Sequence, residues 1–267
     1  MNCRIALAFY SKIWYDYIKE NNAVFEGDFM YCDGHIHILH KIDTGPAFVE
    51  ESVTMLRMMQ YRGVRRLVLT PHYNMDRESI SVFLSRRQKS YREFLAAVRA
   101  AELYKPHCVL TAEVDFMPGI SRAAHLEKLL VPHTQYLPID LPLGRFDKWM
   151  MAELAHLMHK RKIHPIICNS ERHLIYANDV DAEKLFGLPY TVYQFSWRAL
   201  TKRELSYRIF RLIQSGKTVI FGSNAHAPVG RAPEDGLLED NIVRLHGEAV
   251  YKSLQLRTNA FFDQAFS

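Results

Sequence analysis

The chain has 267 residues, 48% hydrophobic and 24% charged, a balance that excludes disordered, collagenous and coiled-coil proteins. Lys and Arg number 34 against 29 Asp and Glu, giving a net charge of +5 with no dense basic run, so the charge pattern does not point to nucleic acid. Cys3, Cys32, Cys108 and Cys168 lie far apart without a Cys-x-x-Cys pair, which predicts reduced thiols in a cytoplasmic protein.

In chain order, Ile5 to Tyr10 is too brief for a signal peptide, and no stretch approaches the ~20 apolar residues of a membrane span. Mixed apolar and polar residues from Ile5 to Ile18 allow an amphipathic helix. Strands are predicted to start near Tyr31, Val64, His107, Tyr136, His164, Thr191 and Thr218, as short apolar runs bounded by breakers. Helical spacing fills most of the gaps. Between the first two strands, Val49, Val53, Leu56 and Met59 share a face, with Pro46 placed in the first turn and Gly63 as the stop. Leu154, Leu157 and Met158 form a second stripe, and Leu205, Ile209 and Leu212 a third, all read as core faces. Parallel strands need crossovers, so the pattern predicts a closed or nearly closed (β/α)7 barrel. Its active site is expected at the C-terminal ends of the strands.

The polar residues gather at those ends. His35 and His37 close the first strand, His72 follows the second and Glu113 closes the third. Asn169, Glu171 and Arg172 follow the fifth strand, and Asn224 and His226 the seventh. Alternating strand residues point the same way, so His35 and His37 offer two imidazoles to one point, and the coincidence with the others predicts a metal site. Other chemistries lack their motifs: there is no Cys-x5-Arg loop, no Gly-x-Ser-x-Gly elbow and no Gly-x-Gly-x-x-Gly turn. Arg211 stands where a P-loop ending in Gly216-Lys217-Thr218 needs its first glycine.

From about Met30 to Gln264 these motifs resemble the polymerase-and-histidinol-phosphatase (PHP) superfamily, in particular the bacterial metal-dependent tyrosine phosphatases of capsule and exopolysaccharide operons. The resemblance rests on His35-Ile36-His37 with Asp43-Thr44-Gly45, Thr70-Pro71-His72, Glu113, Tyr136 to Asp140, Pro165 to Arg172, and Ser223-Asn224-Ala225-His226 with Arg231-Ala232-Pro233. It implies a PHP-type distorted TIM-like (β/α)7 barrel and hydrolysis of phosphotyrosine in a protein such as a bacterial tyrosine kinase. It assigns His35, His37, His72, Glu113, Asn169, Asn224 and His226 to metal, and Arg172, Arg231 and Asp43 to catalysis, the arginines holding phosphate. The metal would be Mn2+, Zn2+ or Fe2+. The resemblance also implies that residues 1–29 are an N-terminal extension, helical or a mis-assigned start, before a domain at 30–267.

Three positions depart from the pattern. Thr44 replaces an Asp, Asn169 a His and Asn224 an Asp. An amide oxygen is a poorer ligand than a carboxylate, and two lost negative charges balance fewer cations. The expectation is one or two ions rather than three, with weakened phosphatase activity. The alternative is an inactive pseudophosphatase that binds phosphorylated partners. An amidohydrolase-like metal hydrolase also begins with His-x-His on a barrel strand, but Thr-Pro-His and Glu-Arg fit the phosphatase pattern.

Overall fold

The structure, a computed structural model, describes residues 31–233 and 236–267. The expected N-terminal extension and helix at Ile5–Ile18, and Cys3, lie outside the described residues.

Nine strands are seen among the described residues. They are β1 (Tyr31–Ile36), β2 (Val64–Leu69), β3 (His72–Tyr73), β4 (His107–Leu110), β5 (Glu113–Asp115), β6 (Tyr136–Asp140), β7 (His164–Ile167), β8 (Val192–Ser196) and β9 (Thr218–Gly222). They make seven staves, because the second and third predicted strands are each broken in two. Pro71 has no N–H to donate, so regular pairing stops at Thr70-Pro71 between β2 and β3. The ladder nevertheless runs through: Thr70 N–H donates to Ile36 O, Thr111 N–H to Leu69 O and Glu113 N–H to Pro71 O, each at 3.0 Å. Pairing then resumes with His72 opposite Glu113. All strand pairs are parallel, in the order β1-β2-β4 on one side of the breaks and β3-β5-β6-β7-β8-β9 on the other.

The first and last staves meet at a parallel bridge between Ile36 and Ala225, where His37 N–H donates to Ala225 O and Asn224 N–H to His35 O. Glycine makes this approach possible. A Cβ at Gly222 would lie 2.5 Å from the His35 nitrogen, and one at Gly34 would lie 2.6 Å from the Phe221 oxygen. Asp33 clips the same seam, its Oδ1 accepting from the N–H groups of His35 (3.0 Å) and Ser223 (2.9 Å).

The helices are α1 (Val49–Tyr61), α2 (Ile80–Ala100), α3 (Lys148–Ala155), α4 (Glu171–Tyr176), α5 (Asp179–Phe186), α6 (Arg203–Gln214), α7 (Gly236–His246) and α8 (Glu248–Phe266). Leu67, Val68 and Leu69 of β2 are all buried, as a strand covered on both faces requires. One cluster takes Cys32, Val68, Val109, Ile166, Val192 and Ile220 from six strands, and α8 inserts Phe262 and Ala265 into it. Residues from the first and last strands share this cluster. The connection from β5 to β6 carries only short 3-10 turns, Ile120–Arg122 and Leu126–Leu129.

Two helix details differ from the sequence reading. Pro46 lies before α1, whose first turn is instead fastened by Glu51 Oε2, which accepts from Ala47 N–H (2.8 Å) and Phe48 N–H (3.1 Å). In α6 the buried residue beside Leu205 and Ile209 is Ile213, with Leu212 only half-buried. Gly63, at φ 76°, ends α1 in the left-handed conformation as expected. No described helix is long and apolar enough to cross a membrane.

Candidate metal centre

Strand geometry builds the first half of the site. His35 in β1 and His37 just beyond it bring their Nε2 atoms to 2.9 Å. Glu113, first residue of β5, sends Oε2 to 3.3 Å from His35 Nε2, 3.1 Å from His37 Nε2 and 3.4 Å from His72 Nδ1. His35, His37 and Glu113 are each at most 1% exposed. Asp43, in the loop after β1, accepts from His37 Nδ1 at 2.7 Å and from the His72 N–H at 2.8 Å through Oδ2, while Oδ1 takes the Gly45 N–H. His226, after β9, stacks on His37 with ring centroids 3.9 Å apart.

The electrostatics of this half are those of an anionic pocket held together by imidazole. Burial disfavours the His37 imidazolium, but the carboxylates of Asp43 and Glu113 outweigh it and carry its pKa up to about 9. Burial would raise Asp43, yet His37 and the N–H groups of His72 and Gly45 hold it down at about 2. Glu113 likewise stays well below its ordinary range, because His35 and His37 overcome its burial. Burial first, then the positive charges of His37 and Arg231, push His226 down to about 2 and keep it neutral.

The donor set fits a cation. Glu113 Oε2 is buried without a hydrogen-bond partner although three imidazole nitrogens surround it. An unsatisfied buried carboxylate oxygen is costly, and a divalent ion is what imidazole and carboxylate together accommodate. Among the described residues, two groups have their ligand atoms within 4.8 Å of one another, His35–His37–Glu113 and His37–His72–His226.

The second half is built of amides and guanidinium groups. Asn169 and Asn224, after β7 and β9, hold φ angles of 51° and 49°, a left-handed conformation that Asn tolerates better than most residues. Asn169 Nδ2 donates to Glu113 Oε1 at 3.1 Å, and Asn224 Nδ2 donates to Asn169 Oδ1 at 2.6 Å. Arg172 on α4 donates to Asp140 Oδ1 at 3.1 Å. Asp140 is pushed up to about 6 by burial and the Glu113 charge, which Arg172 only partly offsets. Arg231 is exposed and reaches Asn224 Oδ1 at 3.4 Å. Glu171 turns to the backbone, accepting from Ser196 N–H at 3.2 Å.

Contacts thus link His35, His37, Asp43, His72, Glu113, Asn169, Asn224, His226 and Arg231, while Arg172 is tied to Asp140 and Glu171 to the Ser196 backbone. Sequence reading missed Asp115, whose Oδ1 is 3.6 Å from His72 Nδ1, and Gln194, whose Oε1 accepts the Asn169 N–H at 2.9 Å. For Asp115 the signal was available: Glu113-x-Asp115 alternates along a strand as His35-x-His37 does. For a buried Gln inside a strand there was none.

A parallel α/β barrel-type fold with a His and carboxylate cluster at the C-terminal rim gives the chain a candidate metal site at that face. Residues 31–261 match the family described as capsular polysaccharide synthesis, CpsB/CapC, and the chain belongs to that family. No curated protein sequence matches it. Among solved structures it is similar to a chain from the work on YwqE from Bacillus subtilis and CpsB from Streptococcus pneumoniae, described as unique metal-dependent tyrosine phosphatases. The identity is 19%, the TM-score 0.65, and the match covers 85% of this chain and 94% of that one. That likeness shows the fold, which is of the PHP type. The catalytic domain of Thermobifida fusca endoglucanase Cel5A matches at 12% identity and a TM-score of 0.44 over 82% of this chain and 76% of that one, too low to carry an argument.

Proposed function

We propose that the chain is a divergent metal-dependent phosphotyrosine-protein phosphatase of capsule or exopolysaccharide regulation. It would work in the cytoplasm on a phosphotyrosine protein such as a bacterial tyrosine kinase. Residues 30–267 would form the phosphatase domain and 1–29 an extension to it. The observation that carries the reading is the orphaned Glu113 Oε2 amid three imidazole nitrogens. Family membership and the fold support it.

His35, His37, His72 and Glu113 would hold the ion, Mn2+, Zn2+ or Fe2+. A divalent cation there supplies Lewis acidity toward a phosphoryl oxygen and lowers the pKa of water. Asp43 would fix the His37 ring by accepting a hydrogen bond from Nδ1–H, so that Nε2, beside Glu113, is the nitrogen that gives up its proton when an ion binds. Arg172, braced by Asp140, and Arg231 would donate to the phosphate oxygens; guanidinium suits that task because its fork matches two oxygens at once. The test is turnover of a phosphotyrosine peptide by the full chain loaded with Mn2+ or Zn2+. Activity that His35→Ala/His37→Ala abolishes is expected, and turnover no higher than that variant's would overturn the assignment.

The neutral Asn169–Asn224 pair favours a second reading, a pseudophosphatase that binds phosphorylated partners without cleaving them. It predicts phosphopeptide binding that needs Arg172 and Arg231 and survives chelation; loss of binding with EDTA counts against it.

A further inference from the structure

Thr44, Asn169 and Asn224 are the three residues at which the chain leaves the pattern it resembles. They sit on three different loops, yet one line of hydrogen bonds joins them. Thr44 Oγ1 meets His226 Nδ1 at 3.0 Å, His226 Nε2 meets Asn224 Oδ1 at 3.1 Å, Asn224 Nδ2 meets Asn169 Oδ1 at 2.6 Å, and Asn169 Nδ2 meets Glu113 Oε1 at 3.1 Å.

The two ends of this line fix its direction. An ionised carboxylate only accepts, so the Asn169 NH2 faces Glu113 and its carbonyl faces Asn224. A guanidinium only donates, so the Asn224 atom facing Arg231 is the carbonyl oxygen. His226 Nε2 points at that same oxygen and must therefore carry the ring proton. A neutral imidazole protonated on Nε2 has its lone pair on Nδ1, and there it accepts the Thr44 hydroxyl. Both nitrogens are thus engaged. The Asn169 end is also pinned by its backbone: Gln194 Oε1 takes the Asn169 N–H and Gln194 O takes the Ser170 N–H at 2.8 Å.

A second observation points the same way. The two candidate ligand groups share His37, whose Nδ1 is committed to Asp43. An ion can displace only the Nε2 proton and take the one lone pair that this frees, so the two groups are alternatives rather than two sites to be filled together.

We infer that the Thr44–His226–Asn224–Asn169–Glu113 line holds His226 as a neutral Nε2–H imidazole outside the metal coordination, so that the site takes one divalent ion, on His35, His37 and Glu113 with His72 beside them. His226, Asn169 and Asn224 are then positioning residues, where the sequence reading expected ligands. The amide dipoles stand where further cations would need anionic donors, and the Asn224 carbonyl steadies Arg231 at the rim. The inference rests on the metal-dependent reading above, and its test separates the two.

The full chain is stripped of metal, loaded with excess Zn2+ or Mn2+ and analysed for ion content, alongside His226→Gln. Imidazole nitrogen resonances are recorded without metal and with Zn2+, with His226 assigned by its loss in His226→Gln. One ion per chain in both proteins is expected, with an Nε2–H tautomer at His226 that Zn2+ leaves unchanged. Two or more ions in the parent with one lost in His226→Gln would overturn the inference, as would a His226 nitrogen shifted by Zn2+. Zero ions would strike the metal-dependent reading itself; the metal-free spectrum then still decides His226, since an Nδ1–H tautomer overturns the hydrogen-bonded line by itself. That spectrum needs only the parent fold, so a misfolded His226→Gln does not rescue the claim.

Discussion

The two halves of the rim are built from opposite materials. On the side of β1, β3 and β5, buried carboxylates and imidazoles crowd together, and His37 is held positive, at about 9, between Asp43 and Glu113. On the side of β7 and β9, the corresponding strand ends carry neutral amides and two guanidinium groups. One half is suited to a cation and the other to an anion. A phosphate monoester held between them would turn its non-bridging oxygens to both, and the halves touch where Asn169 bonds Glu113 and where His226 bonds Asn224.

The comparison is broken most severely at Glu113. Glu113→Gln removes the charge that His35, His37 and His72 all face, and should lower metal affinity by more than about a hundredfold, beyond what loss of a supporting residue costs. Metal-dependent turnover should fall to the level of His35→Ala/His37→Ala; ion content by elemental analysis, with turnover, checks this. Asp43→Ala comes next. It strips the partner of His37 Nδ1 and should cost roughly 10–100-fold in metal affinity, read by competition with a chelator. Arg172→Lys and Arg231→Lys sharpen the contrast from the other side. Each should raise KM for a phosphotyrosine peptide by about tenfold, since an ammonium cannot reproduce a two-oxygen fork. Ion content should stay unchanged. A loss of metal in either arginine variant would show that the halves are not separable.

Much of the fold was legible because each stave announces itself. Short apolar runs bounded by Gly, Pro and polar residues start at Tyr31, Val64, His107, Tyr136, His164 and Thr218, where the strands begin, and the run expected near Thr191 begins at Val192. The break at Thr70-Pro71 had its signal in Pro71, which has no N–H to give the ladder, while the break at Thr111-Ala112 had none in the pattern of its own strand. The site was legible as a set of positions, because strand ends at one rim must converge. Its internal wiring was not: that Asn169 bonds Glu113 and Asn224, that His226 bonds Thr44 and that Asp140 braces Arg172 are contacts between residues 32 to 182 positions apart. Sequence spacing carries no information about them.

The smallest expected effect lies at Thr44, which belongs to the loop after β1 yet bonds His226 of the last stave. Thr44→Val keeps the shape and removes the hydroxyl. Thr44 is exposed, so water can take over as donor to His226 Nδ1, and the loss should sit near the low end of a net hydrogen bond, about 0.5–1.5 kcal/mol. Thermal unfolding should therefore move down by no more than roughly 2–4 °C. Ion content should be identical to that of the parent, because the residue touches no proposed ligand. The Nε2–H proton of His226 should also persist, since Asn224 Oδ1 still faces it and Arg231 still faces Asn224. A gain or loss of metal in this variant would mean that His226 is poised between the two halves rather than held by the amide side, and the division of the rim into a cation side and an anion side would fail at that residue first.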